Sequence, residues 1–230
     1  MKREILITSD GSTTIHLPDW DEQYHSKHGA IQEAYHVFIH TGLHYFLKSL
    51  ENRSLKPTIS ILEIGFGTGL NAFITFLEAR KENISINFDG VEAYPVIAEE
   101  VSKLNYVKEL KAEEQKQFFD KMHDVSWNEK HEISKEFILN KRKQFFDEID
   151  DENEFDLIYF DAFGAKNQPE LWTEEIFLKM YKATKENGVL VTYSAKGSVR
   201  RALQTVGFKV ERLPGPPGKR EMLRAIKINN

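Results

Sequence analysis

The chain has 230 residues, of which 40% are hydrophobic and 29% are charged, as is typical of one soluble globular domain. It contains no cysteine, which excludes disulfides, thiol nucleophiles and cysteine metal sites, and its net charge of −5 argues mildly against a nucleic-acid partner. The start of the chain lacks an apolar signal-peptide core, and no apolar run is long enough to span a bilayer. We therefore expect a cytoplasmic monomer without a membrane or metal partner.

The N-terminal segment predicts a β-hairpin followed by a helix. Asp10-Gly11 separates two β-prone runs, Ile5–Thr8 and Thr14–Leu17, and this arrangement is typical of a tight hairpin. From Glu33 to Leu50, apolar residues recur at roughly helical spacing, with an interruption at Gly42.

The rest of the chain alternates apolar runs with helical patterns. The predicted strands are Ile59–Ile64, Ile84–Val91, Phe137–Leu139, Phe155–Phe160, Val189–Tyr193, Phe208–Leu213 and Glu221–Ile228. The predicted helices are Leu70–Arg80, amphipathic segments between Glu99 and Lys143, a helix capped by Thr173 and closed by Asn187-Gly188, and Ser198–Val206 before Gly207.

Strands that alternate with helices predict an α/β fold with a doubly wound, mostly parallel sheet. The last two strands flank a loop rich in proline and glycine, so we expect an antiparallel C-terminal edge. The prediction is one domain over residues 1–230, with an N-terminal hairpin and helical extension (1–56) before a Rossmann-like core (57–230). Pro57 ends the linker between them, and the core carries a helical insertion.

A glycine-rich turn follows the first core strand. That strand ends at Glu63, and Gly65, Gly67 and Gly69 then precede a helix, so backbone N–H groups are open to a ligand. A dinucleotide site needs G-x-G-x-x-G, but here the third glycine comes one residue early and Leu70 takes its place. The lysine of a phosphate-binding P-loop is also missing. The pattern favours S-adenosyl-L-methionine, with NAD as the alternative.

Three acids stand at the ends of predicted strands, where doubly wound folds bind their ligands: Glu63, Glu92 and Asp161. Glu92 follows the glycine turn by roughly twenty residues, the spacing of an acid that accepts hydrogen bonds from a ribose diol. Glu63 either faces the cationic end of a methionine moiety or braces the loop. Thr68 and Asn71 either contact the ligand or cap the helix.

The loop after the strand Phe155–Phe160 carries an acid, aromatic residues and Pro169. Loops on a rigid scaffold often hold catalytic groups, which makes Asp161 a candidate. The alternative is that Asp161 caps the following segment and that Trp172 packs on the core.

These motifs occur in the same order in a known family, and the chain resembles the methyltransferase domain of the MnmC-like tRNA 5-methylaminomethyl-2-thiouridine biosynthesis enzymes. The shared motifs are Tyr24-His25-Ser26 with Gly29, Glu33 and Val37-Phe38; GFGTGLN (65–71); Glu92; FDAF (160–163) with Pro169, Leu171 and Trp172; VRRALQTVGF (199–208); and GKREM (218–222). Between Asn140 and Phe145 we find no counterpart of the acid with which family members hold the adenine amino group.

The resemblance implies a class I methyltransferase that uses S-adenosyl-L-methionine to methylate the 5-aminomethyl group of the wobble (2-thio)uridine, with the tRNA anticodon stem-loop as partner. Larger family members also carry a flavin-dependent oxidase domain, and we expect this sequence to carry the methyltransferase domain alone. The implied cofactor residues are Tyr24, Glu63, Gly65, Phe66, Gly67, Thr68, Gly69, Asn71, Glu92 and Asp161.

In this interpretation Asp161 is the catalytic residue, and it orients the amine toward the methyl group. The implied substrate-binding residues are Phe163, Trp172, Lys196, Arg200, Arg201, Lys219 and Arg220. The aromatic residues would stack on the splayed uridine, whereas the basic residues would bind phosphates or simply form a solvated face. The alternatives are a small-molecule N- or O-methyltransferase and a non-catalytic binding module on the same fold.

Overall fold

The computed structural model describes residues 2–50 and 58–228 and contains a small N-terminal sheet. This sheet is antiparallel and consists of β1 (Glu4–Ile7), β2 (Thr13–Leu17) and β3 (Glu22–Gln23). The predicted hairpin is confirmed, and its turn is closed by a 2.8 Å hydrogen bond from the Thr8 amide to the Ser12 carbonyl. The third strand was not predicted, because two residues are too few to show a strand pattern.

A second sheet forms the centre of the described part of the chain. Its strands are β4 (Ile59–Ile64), β5 (Ile86–Val91), β6 (Lys130–Ser134), β7 (Phe137–Arg142), β8 (Phe155–Phe160), β9 (Thr184–Thr192), β10 (Lys209–Pro214) and β11 (Glu221–Ile226). Their spatial order is β10-β11-β9-β8-β4-β5-β7-β6. Strand β4 pairs in parallel with both β5 and β8, so the chain changes direction across the sheet at β4. The predicted doubly wound, mostly parallel sheet is confirmed.

Both edges of this sheet are antiparallel. The pairing of β10 with β11, and of β11 with β9, confirms the predicted C-terminal edge. At the opposite edge β6 runs antiparallel to β7, which the sequence did not predict. The prediction of helical segments as far as Lys143 is therefore wrong for residues 130–134 and 140–142, whereas the predicted strand Phe137–Leu139 is confirmed as part of β7. Strand β6 buries only Ile133 among polar neighbours, so the sequence shows no alternating apolar pattern there.

The helices cover both faces of the sheet. They are α1 (Ala30–Ala34), α2 (His44–Lys48), α3 (Leu70–Glu82), α4 (Ala98–Val101), α5 (Tyr106–Glu109), α6 (Lys116–Asp124), α7 (Glu174–Ala183) and α8 (Gly197–Thr205). Single 3₁₀ turns lie at Pro18–Trp20, Glu113–Gln115, Phe146–Glu148 and Pro169–Trp172. Ile61 of β4 joins an apolar cluster with Phe73 of α3, whereas the next residue, Leu62, joins a second cluster with Phe177 of α7. Successive strand residues thus fill two cores.

A π-helix over Tyr35–Leu43 joins α1 to α2, so the predicted helix runs through Gly42 without a break. A Cβ on Gly42 would lie 3.1 Å from the Val191 side chain, and glycine therefore lets this helix approach β9 closely. The predicted boundary between 56 and 57, and the linker that ends at Pro57, lie outside the described residues. The division into extension and core remains a prediction.

The end of α7 differs from the prediction. Thr173 caps this helix as expected, since its hydroxyl accepts a hydrogen bond from the Ile176 amide at 3.4 Å. The helix ends at Ala183, however, and not at Asn187-Gly188. Asn187 has φ of 63° and lies inside β9, where the pairing with β8 shifts register. Asn-Gly therefore marks a β-bulge. None of the helices within the described residues is long and apolar enough to cross a membrane.

Candidate active site

A cavity of about 990 Å³ lies at the carboxyl ends of β4, β5 and β8. This is the switch point of the sheet, where doubly wound folds bind their ligands. The wall includes Gly65 after β4, Glu92 after β5 and Asp161 after β8, so the strand ends that the sequence singled out meet at one site. The volume is near the upper end of the range for small-molecule sites, about 300–1,000 Å³. It is large enough for a nucleoside together with a second group.

The glycine turn between β4 and α3 has a backbone conformation that favours glycine. Gly65, Gly67 and Gly69 have φ of 91°, 51° and 71°. The Gly65 amide donates to the Val91 carbonyl at 3.0 Å, which fastens the turn to β5. A Cβ on Gly65 would lie 2.8 Å from the carbonyl oxygen of Asp161. The turn and the Asp161 loop therefore pack backbone against backbone.

The Glu92 carboxylate accepts hydrogen bonds from the glycine turn and from the loop that follows β5. One carboxylate oxygen accepts from the Gly67 amide at 3.1 Å, and the other accepts from the Tyr94 amide at 2.8 Å. Burial raises the pKa of Glu92, and these backbone amides oppose that rise. A carboxylate has about four acceptor positions. Backbone amides, including that of Ala93, use part of this capacity, and the rest is open to a ligand in the cavity.

Behind the turn, Asn71 joins two acids. Its amide nitrogen donates to Glu63 at 2.8 Å and to Asp161 at 2.9 Å, so Asn71 neither caps α3 nor leaves these carboxyls independent. Glu63 is fully buried, and burial holds its pKa well above the usual range. Glu63 Oε2 and Asn71 Oδ1 have no hydrogen-bond partner among the described residues. The result is an acidic cluster in which little solvent stabilises negative charge.

Asp161 has a pKa that is raised from its usual 3.8 to about 7. Burial is the largest cause, and the negative charge of Glu33 adds to it. The hydrogen bond from Asn71 and the positive charge of Lys219 act in the opposite direction. At neutral pH the carboxyl is therefore poised between its two forms, as a group that exchanges a proton with a ligand would be.

An aromatic wall lies next to Asp161. The rings of Tyr24 and Trp20 contact the Phe163 ring edge-on, with centroid distances of 5.0 Å and 6.0 Å, and all three residues line the cavity. Trp172 lies beneath this wall and does not line the cavity. Its indole N–H donates to the Phe163 carbonyl at 2.7 Å, so Trp172 braces the loop, and its stacking on a substrate base remains a prediction.

The structure places most of the predicted cofactor residues on the cavity wall. The residues that line it are Tyr24, Gly65, Phe66, Gly67, Thr68, Asn71, Glu92 and Asp161. Glu63 is buried behind Asn71, and Gly69 packs against His123. These placements do not establish the role of any residue, and their roles remain predictions.

The predicted basic residues lie away from the cavity wall. Lys196, Arg201 and Arg220 are exposed, and Arg200 is partly buried on α8. Lys219 forms an ion pair with the buried Glu33. Four of these cations therefore face outward or lie near the surface, whereas the ammonium group of the fifth, Lys219, is engaged with Glu33 although 33% of its side chain is exposed.

Sequence reasoning missed several residues of the cavity. Arg3, in the N-terminal segment, donates to the Glu100 carboxylate and to the Tyr94 carbonyl, both at 2.9 Å, and so ties this segment to the loop after β5. No local pattern indicates such a long-range contact. Asp147 also lines the cavity, just beyond the segment in which we sought an adenine-binding acid, and Phe145 joins it there.

Away from the cavity wall, His44, Glu78 and Glu82 have possible metal-ligand atoms within 4.8 Å of one another. Lys81 already pairs with Glu78 at 3.2 Å, and His44 contacts the same carboxylate at 3.0 Å. Exposed and half-buried acids often cluster in this way without a metal. The predicted absence of a metal site remains a prediction.

Comparison with protein families matches residues 105–228 to a family described as S-adenosyl-L-methionine-dependent methyltransferase. Among curated proteins, the tRNA 5-methylaminomethyl-2-thiouridine biosynthesis bifunctional protein MnmC of Leptospira interrogans is 30% identical over 227 residues, which are 95% of this chain and 34% of that protein. The protein of the same name from Hydrogenovibrio crunogenus is 29% identical over 231 residues, covering 96% and 33%. The chain thus spans about a third of the length of these relatives.

Among solved structures, MNMC2 from Aquifex aeolicus is similar over 97% of this chain and 70% of its own, with a TM-score of 0.72 and 26% identity. Spermidine synthase from Thermotoga maritima is similar over 98% of this chain and 68% of its own, with a TM-score of 0.57 and 18% identity. The similarity to spermidine synthase shows a shared fold and nothing more.

Proposed function

The chain belongs to the family of S-adenosyl-L-methionine-dependent methyltransferases, and we propose that it methylates the 5-aminomethyl group of (2-thio)uridine at the wobble position of tRNA. Because the chain belongs to this family, its cofactor is S-adenosyl-L-methionine and not NAD. For the same reason it is an enzyme and not a binding module. The observation that carries the substrate proposal is Asp161, an acid of near-neutral pKa that stands between the glycine turn and an aromatic wall. The names of the relatives point to the same uridine.

The cavity fits the cofactor. The glycine turn offers backbone N–H groups without side chains in front of them, and Glu92 keeps free acceptor positions for ribose hydroxyls. Asp161, in its ionised form, gives the site a negative potential that suits a positively charged sulfur. Asp147, which stands on the wall after β7, is an acceptor for an adenine amino group.

Asp161 has two tasks in this proposal. A primary amine has a pKa near 10, so at neutral pH it carries a proton that blocks attack. Passing that proton to an ordinary aspartate would be uphill by about 6 pH units, or about 8 kcal/mol. With a pKa of about 7, Asp161 reduces the difference to about 3 units, or about 4 kcal/mol. Asp161 then passes that proton to water, and the restored carboxylate accepts a remaining N–H of the amine and so orients the nitrogen lone pair.

The cofactor supplies a methyl group bound to a positively charged sulfur. Transfer of that methyl group from sulfur to the amine would place positive charge on the nitrogen, and the Asp161 carboxylate would stabilise this charge. The wall of Trp20, Tyr24 and Phe163 keeps water away and offers aromatic surfaces to an unstacked base. Outside the cavity, exposed Lys196 and Arg201 suit phosphate contacts.

The second candidate is a small-molecule N- or O-methyltransferase, which the net charge of −5 favours. Incubation with tritiated S-adenosyl-L-methionine and either undermodified tRNA or a pool of small amines and alcohols separates the two. The proposal expects label in tRNA alone. Label only in the small-molecule pool would refute it.

Asp161→Ala tests the assigned role in the same assay. Turnover should fall by roughly 10²–10⁴-fold, since a positioned base is lost, while cofactor binding weakens less. Glu175→Gln, at an exposed position on the cavity wall, is the matched control. Turnover near that of the unchanged protein would remove Asp161 from the mechanism.

A further inference from the structure

An ion pair between Glu33 and Lys219 lies beside the active site, and the proposed cofactor and substrate contacts do not use it. Glu33 is in the first turn of α1 and is 7% exposed. One of its carboxylate oxygens accepts from the Lys219 ammonium at 2.5 Å, and the other accepts from the Ser26 amide at 2.8 Å. The carboxylate is thus held from two sides in a largely buried position.

Lys219 reaches this acid from the loop between β10 and β11, and it also contacts the catalytic loop through a ring. Its ammonium nitrogen lies 3.7 Å from the centroid of the Tyr193 ring, a cation–π contact. The Tyr193 hydroxyl in turn donates to the carbonyl of Ala162 at 2.8 Å. Ala162 directly follows Asp161, so a continuous set of contacts joins the ion pair to the catalytic loop.

Titratable groups face Asp161 from several elements. Glu33 approaches from α1 and Glu63 from β4, the latter through the shared Asn71 amide on α3. Tyr193, after β9, is kept neutral because burial and nearby acids, with Asp161 first and Glu22 of β3 next, raise its pKa. Lys219 supplies positive charge to this cluster.

This arrangement distinguishes two roles for Lys219. A phosphate-binding lysine needs its ammonium group free, but here that group is engaged with a buried carboxylate and a ring. Removing the cation would leave the charge of Glu33 uncompensated in a poorly solvated region. The catalytic carboxyl of the proposed function, Asp161, is one of the groups whose pKa the charge of Glu33 raises.

We propose that Lys219 is a positioning residue: by pairing with Glu33 and seating the Tyr193 ring, it offsets the charge of Glu33 at Asp161 and fixes the catalytic loop. The inference rests on the proposed role of Asp161. It replaces the expectation that Lys219 binds a tRNA phosphate.

The direct test is the titration of the Asp161 carboxyl in the free protein by ¹³C NMR, with the resonance assigned through Asp161→Asn. Lys219→Met should raise the midpoint by about one pH unit, because Glu33 is then uncompensated. Adding Glu33→Gln should bring the midpoint back to that of the unchanged protein or below it. Glu33→Gln alone should lower it, which keeps the test decisive if Lys219→Met fails to fold. Equal midpoints in all variants would overturn the proposal.

Kinetics provide a second readout that separates the two roles of Lys219. If it positions Asp161, Lys219→Met lowers kcat and moves the acid limb of the pH profile upward, while KM for tRNA and its salt dependence stay unchanged. If it binds phosphate, KM rises and the slope of log K against log salt decreases by about one. That second result would overturn the proposal. Lys182→Met, at an exposed position on α7 outside the proposed tRNA contacts, is the control for a lost surface charge.

The NMR test needs neither tRNA nor cofactor, so it stands apart from the function proposal. Shifted midpoints without any methylation of tRNA would refute the proposed substrate and leave the ion-pair inference intact. Methylation of tRNA together with unshifted midpoints would support the proposed substrate and overturn the ion-pair inference.

Discussion

Replacing Asp161 with asparagine should stabilise the free protein at alkaline pH. The carboxyl has its pKa raised from 3.8 to about 7, so between these values the folded state binds more protons than the unfolded state. Stability contributed by this group is therefore lost as pH rises, and above about pH 7 the full penalty is present. The rise in the pKa of Asp161 corresponds to a loss of unfolding free energy of at most about 4 kcal/mol. An amide that still accepts from Asn71 removes this penalty.

The measurement is unfolding by urea or heat at pH 5 and pH 8, without cofactor. The variant Asp161→Asn should exceed the unchanged protein in unfolding free energy, and this difference should grow by about 2–3 kcal/mol from pH 5 to pH 8. Most of the pH range between the unfolded and folded pKa values of Asp161 falls in that window. For a chain of this size, this growth is a change of about 5–10 °C in Tm. Asp150→Asn, at an exposed position, is the control and should show no such growth. If Asp161→Asn is more stable by the same amount at both pH values, or is not more stable at either, the reasoning is refuted.

Three further predictions concern the cavity and the surface. Glu92→Gln should weaken S-adenosyl-L-methionine binding by roughly 10–100-fold in calorimetry, because a charged acceptor is lost, whereas exposed Glu99→Gln should not. Gly65→Ala should cost at least about 2 kcal/mol of unfolding free energy, because φ is 91° and the new Cβ would meet a carbonyl oxygen at 2.8 Å. Gly164→Ala, whose Cβ has 3.4 Å of room, should be tolerated, and equal losses would contradict this account. Binding of tRNA should weaken steeply with salt, and Arg201→Gln should reduce the slope by about one; a flat salt response would argue against this surface.

Much of the sheet could be predicted because its strands are buried on both faces. The runs Ile59–Ile64 and Phe155–Phe160 are almost continuously apolar, and both end at the switch point, where the glycine turn and Asp161 follow them. From this pattern the meeting of Glu92 and Asp161 at one cavity followed without any knowledge of side-chain contacts. Local signals also sufficed for the Asp10-Gly11 hairpin.

What the sequence did not predict depends on contacts between distant residues. Strand β6 forms because β7 offers it an edge and not because its own sequence alternates. Asn187 does not end a helix but lies in a β-bulge of β9. Its left-handed backbone conformation is also the one that residues at helix ends often adopt, so the sequence signal is the same in both cases. The contact of Arg3 with Glu100 and that of Lys219 with Glu33 join segments that are far apart in the chain. Charge alone placed Lys219 with the surface cations, whereas the structure pairs its ammonium group with the buried carboxylate of Glu33.

The central claim is that this methyltransferase acts on the aminomethyl group of a wobble uridine, and nucleoside mass spectrometry tests it most directly. Undermodified tRNA that carries 5-aminomethyl-(2-thio)uridine is incubated with the protein and S-adenosyl-L-methionine, digested and analysed. The account predicts that the aminomethyl nucleoside disappears and that 5-methylaminomethyl-(2-thio)uridine accumulates in its place, but not with Asp161→Ala. An unchanged wobble nucleoside with an active, cofactor-bound enzyme, or a methyl group on another nucleoside, would contradict it.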